Sequence, residues 1–412
     1  MRRGIVTALA VWAMAMTGFA AQAKDAKFFL HDGDRVVLYG DSITEQQMYG
    51  RDIEAYVATR FPKMHVTFIN SGWSGDRVTG GGGGPIETRL KRDVLPYKPT
   101  VVTILLGMND GGYSTDSPQT YHTYTAGMTH IVDELTRQLP GVRITLLTPS
   151  LFDYAAKDRQ PPPAGQGYNF GYPAPDYNQT LLKYGDFVKQ LGAQRHILVA
   201  DLNAPMAAAT EAGRRADPKF ALSGDGVHPN EVGHLLMAAA VLKAWGAPST
   251  VASLSLRPGR PVTITAPLPW PTPDGAKQAF TLSPLPGSLD VFQAHGDRMN
   301  GDGTYTLLVD GAQIATVTMA QLTAGLDLTQ YPSLPENQQA QQVEALINDR
   351  INRWHDFFKG KNGLAHAADV PTDEEIAALK ADDASLDALR TQEQTAAQPK
   401  PHTFELRPAA AP

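Results

Sequence analysis

Between residues 35 and 245 the sequence alternates apolar runs of strand length with longer segments whose apolar residues recur at helical spacing. That alternation calls for an α/β fold, a parallel sheet covered on both faces, because each parallel strand needs a crossover to return the chain to the same edge. Strands are expected at 35–39, 65–69, 101–106, 143–147 and 197–200. Helices are expected at 47–61, where Ile53, Tyr56, Val57 and Phe61 share a face, and at 129–139, where Ile131, Val132, Leu135 and Leu139 do so. Two more are expected at 177–191 and at 229–245, the latter with Pro229 suitably placed at its start.

In such sheets ligands bind beyond the carboxyl ends of the strands, so the residues that follow each strand carry most weight. The first strand runs into Gly40-Asp41-Ser42, the second into the stretch from Asn70 to Asp76, the third into Gly107-Met108-Asn109-Asp110. After the fifth, a longer connection leads to Gly224-Asp225-Gly226-Val227-His228. A serine hydroxyl is unreactive until a base and an oxyanion site are brought to it. Asp225 and His228 are three residues apart, a spacing that lets the carboxylate reach one imidazole nitrogen and leaves the other to take a proton. The backbone N–H groups of Ser42 and Gly75 and the side-chain amide of Asn109 are the matching donors for a tetrahedral intermediate's oxygen.

Together these four segments resemble the four blocks of the SGNH, or GDSL, hydrolase family, and the resemblance covers roughly residues 34–246. It implies a flavodoxin-like three-layer α/β/α fold and a serine esterase or acylhydrolase that needs neither cofactor nor metal. The family's nucleophile falls on Ser42, its asparagine on Asn109 and its Asp-x-x-His pair on Asp225 and His228. In the second block either Gly72 or Gly75 supplies the oxyanion donor, Gly75 being preferred for the form Ser74-Gly75-Asp76. Many secreted members deacetylate polysaccharides, so the expected partner is an ester, an acetylated saccharide first. A lysophospholipase or thioesterase is the alternative, and a glycan-binding protein on an esterase scaffold a third reading.

Trp73 and Arg77, beside Gly75, are candidates to line the substrate pocket or to serve the surface. Tyr172 joins them from the segment 152–177, which also holds three consecutive prolines and the aromatics Tyr154, Tyr168, Phe170 and Tyr177. Too long for a simple connection, this segment is a substrate-facing lid or a surface excursion, the lid being favoured because it leaves the fourth strand at the same rim. The glycine run 80–84 lacks the Lys-Ser or Lys-Thr of a phosphate loop and is expected to be a flexible loop beside the site. Asp110 is assigned a structural role and His234 a packed or surface one. Without clustered histidines, a metal-dependent phosphoesterase is disfavoured.

Residues 1–23 combine Arg2 and Arg3, an apolar stretch and Ala21-Gln22-Ala23, the three parts of a secretory signal, so a secreted or periplasmic location is expected. The apolar run is shorter than the ~20 residues that span a bilayer, which leaves no integral membrane segment once the signal is removed. The net charge of -6 without a basic stripe argues against nucleic acid, and the absence of cysteine rules out a disulfide framework. The catalytic domain is expected at 24–246. An accessory region at 247–391 should hold short strands, a hairpin turning at Asp310-Gly311 and a docking helix at 335–358, and 392–412 reads as a loose tail.

Overall fold

The computed structural model describes residues 28–272, 291–296, 303–361 and 372–409; the expected signal at 1–23 lies outside the described residues. Five strands, β1 Arg35–Gly40, β2 Thr67–Gly72, β3 Val101–Leu105, β4 Arg143–Leu147 and β5 Leu198–Ala200, form one parallel sheet in the order β2-β1-β3-β4-β5. β1 and β3 are covered on both faces, which is why they read as near-continuous apolar runs, interrupted only by Arg35 at the start of β1 and Thr103 within β3. Because β1 is flanked by β2 on one side and β3 on the other, the chain departs in opposite directions there and opens a crevice at the strands' carboxyl ends.

The helices of this half are α1 Ser42–Glu45, α2 Met48–Arg60, α3 Ile86–Asp93, α4 Pro118–Gln138, α5 Tyr177–Arg195, α6 Asn203–Ala216 and α7 Glu231–Ala244. α2 and α6 both pack on α7, while α4 packs on α5, giving helical layers on the two faces of the sheet. α4 begins at Pro118 rather than 129: Ser117 and Thr120 close a capping box and Pro118 occupies the first turn, ahead of the apolar stripe that the sequence pattern marks. α2 is buried almost all round, Asp52, Glu54 and Arg60 included, because a further helix from the C-terminal half covers its outer face.

That half comprises β6 Thr250–Leu256, β7 Val262–Thr265, β8 Val291–Gly296, β9 Thr304–Val309, β10 Ala312–Thr318, α8 Met319–Ala324, β11 Leu326–Asp327, α9 Pro335–Lys361, α10 Asp373–Ser385, α11 Asp387–Ala396 and β12 Pro401–Pro408. Its strands make two small sheets, β11-β8-β6 and β10-β9-β12-β7, around a second apolar core that includes Leu256, Leu307, Val309, Leu322, Phe404 and Leu406. The expected hairpin is β9–β10, and Asp310 and Gly311 turn it with φ of 50° and 81°, the left-handed pair that a two-residue hairpin loop requires.

Within the stretch expected to be a loose tail, the described residues 392–409 are ordered into helix and strand. The first of them finish α11, and residues 401–408 are β12, an interior strand hydrogen-bonded to β9 and β7. Only Phe404 and Leu406 face the core, alternating with Thr403, Glu405 and Arg407, so the strand has little apolar content of its own and is formed by partners about 100 residues or more away in sequence.

Along α9, Val343, Ile347, Ile351, Trp354 and Phe358 are all buried and lay the helix against α2 and the sheet's β2 edge. Arg350 completes the junction by pairing with Glu54 of α2 and, at 2.8 Å, with Glu393 of α11. All three side chains are nearly or fully buried, so removal of Arg350 leaves two buried carboxylates without their counter-charge.

Candidate active site

Gly40 ends β1 where no side chain fits: a Cβ would come within 2.2 Å of Thr44 Oγ1 and 2.7 Å of the Leu105 carbonyl oxygen. That close approach lets α1 start two residues later, with buried Asp41 as its cap accepting the Ile43 N–H at 3.0 Å. Burial pushes the Asp41 carboxyl up to about 7 despite that bond. Ser42 is the first residue of α1, so its own N–H has no acceptor within the helix.

The Ser42 hydroxyl lies 2.8 Å from His228 Nε2, and His228 Nδ1 lies 2.7 Å from Asp225 Oδ2. The other carboxylate oxygen accepts from Ser223 Oγ, Val227 N–H and His228 N–H at 3.0, 2.9 and 2.8 Å. Partial burial works to raise the Asp225 carboxyl, but the bonds from the His228 ring, the His228 N–H and the Val227 N–H outweigh it and hold it well below the usual carboxylate range. An ionised Asp225 fixes the proton of neutral His228 on Nδ1 and leaves Nε2 as acceptor for the serine O–H. The bond to Asp225, chiefly, raises the imidazole above its ordinary value; burial opposes the rise, and the charges of Asp225, Asp41 and Glu45 add to it. Asn230 then caps α7 by accepting the Gly233 N–H at 3.0 Å, so the helix begins directly behind His228.

On the other side of Ser42, residues 73–76 form a turn closed by Asp76 N–H donating to the Trp73 carbonyl at 3.2 Å, with Gly75 at φ 77°. The Gly75 N–H donates to nothing among the described residues. Gly72 is unsuited to the role: its N–H donates to Asn70 Oδ1 at 3.0 Å, and a Cβ there would sit 2.1 Å from the Glu45 nitrogen. Asn109 donates one amide hydrogen to the Asp76 carbonyl at 3.0 Å and accepts from Tyr113 O–H at 2.8 Å, which fixes the amide and leaves its second hydrogen available.

The turn rests on a buried charge network that the sequence pattern does not reveal. Asp76 accepts from Gly83 N–H at 2.9 Å and from Arg89 Nε at 2.5 Å; Arg89 also pairs with Asp93 and donates to the Ser71 carbonyl at 2.6 Å. The Arg89 guanidinium lies 4.8 Å from the centre of the Tyr39 ring, and neither it nor its two carboxylate partners touches solvent. The glycine run 80–84 is a correction to the flexible-loop reading. Gly80–Gly81 pairs with Gly84–Pro85, and a Cβ at Gly81, Gly82 or Gly83 would come within 2.3 Å of the 74–75 backbone or the Arg89 side chain. These glycines are required by close packing over the turn.

The substrate-lining candidates separate. Trp73 does not line an opening: it is 1% exposed, packed on Phe358 at 5.7 Å with Arg92 and Lys359 against its ring. Arg77 is exposed, and its charge is felt by Asp110 and Tyr113. Tyr172 is half-buried at the base of a turn in which its backbone pairs with Asn169, and the tip of that turn carries Phe170. The Phe170 ring is 53% exposed, edge-on to Tyr113 at 5.3 Å and 6.4 Å from the His228 ring, the position that the sequence reading assigned to Tyr172. The 152–177 segment touches the 223–228 loop again where Asp153 N–H donates to the Gly226 carbonyl at 2.9 Å and Arg159 donates to the Asp225 carbonyl. Asp110 is structural, accepting the Val78 N–H at 2.9 Å. His234 is fully buried, bonded to Gln46 at 2.9 Å and stacked on Tyr49; burial pushes it down to about 3, so it is neutral. Among the described residues no group of three acidic or histidine side chains is placed to hold a metal, and no helix is long and apolar enough to cross a membrane.

Residues 38–236 match the GDSL-like Lipase/Acylhydrolase family. An acetylxylan esterase of Geobacillus stearothermophilus is 28% identical over 235 residues, covering 52% of this chain and 94% of that protein. A solved gut microbial diltiazem-metabolizing enzyme shares the fold with a TM-score of 0.76 at 22% identity, over 92% of this chain and 98% of its own. That likeness of fold extends past the sheet into the C-terminal half. Residues 38–236, with their Gly-Asp-Ser strand end, are thus a GDSL-like lipase/acylhydrolase domain, and the protein is a serine ester hydrolase.

Proposed function

We propose that the protein removes O-acetyl groups from carbohydrate through an acyl-enzyme on Ser42, and that it works outside the cytoplasm. The observation that carries the chemistry is the relay from Ser42 Oγ to His228 Nε2 and from His228 Nδ1 to Asp225, at 2.8 and 2.7 Å. Ser42 Oγ attacks the ester carbonyl carbon as His228 Nε2 takes the hydroxyl proton. The negative oxygen of the tetrahedral intermediate accepts from the N–H groups of Ser42 and Gly75 and from Asn109 Nδ2. The intermediate collapses, the bond to the sugar oxygen breaks as His228 returns its proton to that oxygen, and the acetyl group stays on Ser42. Water then attacks the acyl-enzyme with His228 again as base, releasing acetate and restoring the serine.

Two features support a saccharide on the leaving side. The relative covering the catalytic half acts on acetylated xylan by its name, and Phe170 presents an exposed ring beside His228, a face on which a sugar ring packs. The amino-terminal Arg-apolar-Ala pattern supports export.

Acetyl release from acetylated xylo-oligosaccharides and from aryl esters of increasing chain length tests the reading. The expected result is acetate release from the oligosaccharide and an aryl-ester rate that falls at least tenfold from acetyl to octanoyl. A preference for the long chains excludes the acetylesterase and points to a lysophospholipase or thioesterase. Ser42→Ala is expected to abolish turnover on all of them with an unchanged circular dichroism spectrum; undiminished turnover would rule out the acyl-enzyme.

A further inference from the structure

The C-terminal half reaches the oxyanion turn through α9. Trp354 Nε1 donates to the Asn70 carbonyl at 2.9 Å, and Phe358 packs on Trp73, the first residue of the turn. One helical step further, Lys359 Nζ lies 2.8 Å from Glu45 Oε1 and 3.8 Å from the centre of the Trp73 ring. The second oxygen of Glu45 accepts both from Ser74 N–H and from Ser74 Oγ, each at 2.5 Å. Ser74 immediately precedes Gly75, so the residue from which the Gly75 N–H is hung is held, through its own N–H and hydroxyl, by a carboxylate whose counter-charge comes from another region of the chain.

Glu45 is also the last residue of the four-residue helix that Ser42 begins. The nucleophile and the turn opposite it are therefore tied to one side chain. Burial works to raise the Glu45 carboxyl, but the bonds from His355, Lys359 and Ser74 outweigh it and bring it down to about 2, so the anion persists across the neutral range.

We propose that Glu45 and Lys359 are positioning residues for ester hydrolysis: through them the C-terminal half sets the position of the Gly75 N–H against Ser42. The proposal rests on the assignment of Gly75 as an oxyanion donor. Without the Lys359 ammonium the carboxylate turns toward solvent and releases Ser74. The turn then keeps its closing bond from Asp76 to Trp73 but loses the contact that aims Gly75. Substrate contacts are untouched, so the effect falls on the step and not on binding.

The test uses the full chain and an acetyl aryl ester. Lys359→Met and Glu45→Gln are each expected to lower kcat about tenfold with KM within twofold of wild type, since a misplaced group of this kind forfeits one to two orders of magnitude. Both are also expected to weaken inhibition by an arylboronic acid, whose tetrahedral adduct with serine uses the same donors. Lys359→Arg is expected to recover most of the rate. As a control at the same junction, Arg350→Met is expected to lower the melting temperature while keeping kcat. Wild-type kcat and boronate affinity in both Lys359→Met and Glu45→Gln would overturn the proposal, and so would an equal loss of kcat in Arg350→Met, which would make the effect one of stability. A failure of the esterase reading itself is seen separately, as residual turnover in Ser42→Ala.

Discussion

The two sides of Ser42 are supported in opposite ways. On the base side every bond to the Asp225 carboxylate is local: it draws hydrogen bonds from Ser223, Val227 and His228, all within a stretch of six residues, and Asn230 starts α7 immediately after. On the oxyanion side the supports come mostly from elsewhere in the chain. Gly75 and Asn109 come from different strand ends, Asn109 depends on the Asp76 carbonyl, Asp76 on Arg89, Arg89 on Asp93, and the turn itself on Glu45 and Lys359. Proton transfer needs one correctly oriented ring, which a short loop supplies. Stabilising a developing oxyanion needs donors fixed before the charge appears, which requires a rigid surround.

The largest expected effect tests the local side. Asp225→Asn keeps the shape of the loop but presents an amide to Nδ1, so neutral His228 loses the preference for its Nδ1–H tautomer. kcat should fall on the order of 10⁴-fold with the melting temperature nearly unchanged. A loss of stability comparable to the loss of rate would mean that the base side is not self-contained. On the distant side the expectation reverses. Arg89→Met strands Asp76 as a buried carboxylate without a counter-charge, while Asp93 keeps Arg92 at 2.7 Å, and should lower stability by about 3–5 kcal/mol in denaturant unfolding, with activity falling as the turn loosens. An Arg89→Met protein that is as stable as wild type would show that the network does not hold the turn.

The same contrast decides what could be seen in the sequence. Strand ends and short spacings are legible, so Ser42, Asn109, Asp225 and His228 stand out along with the five strands, because alternating pattern and local chemistry suffice to place them. The supports of the oxyanion turn are not legible. Arg89 and Asp93, four residues apart on α3, look like an ordinary exposed helical pair and are fully buried. Glu45 and Lys359 are separated by more than 300 residues, and nothing in either segment marks the other. Trp73 illustrates the same limit: proximity to Gly75 in sequence suggested a pocket wall, whereas its ring faces α9. β12 escaped because two apolar residues in eight form a strand only when β9 and β7 are already there. Phe170 was visible as one aromatic among several in a long loop, but the turn that aims it at His228 depends on Asn169 Oδ1 accepting the Gly171 and Tyr172 N–H groups.

The smallest expected effect is a shift in pH dependence, and it connects the two sides. His228 acts as a base only when neutral, and its raised pKa keeps the proton on the ring to higher pH than a free histidine. The acid limb of kcat/KM should therefore reach half height above the ordinary histidine value of about 6.5, with activity lost as pH falls through it. Asp225 is the main source of the rise, so Asp225→Asn should move the limb to lower pH in whatever activity remains. Glu45 is a minor source acting through charge alone, and Glu45→Gln should move the limb in the same direction by less. Initial rates on an acetyl aryl ester from pH 5 to 9 resolve the three positions. A wild-type limb at or below 6.5 would contradict the raised pKa. A Glu45→Gln limb that moves further than that of Asp225→Asn would mean that the oxyanion side, and not the local carboxylate, governs the base.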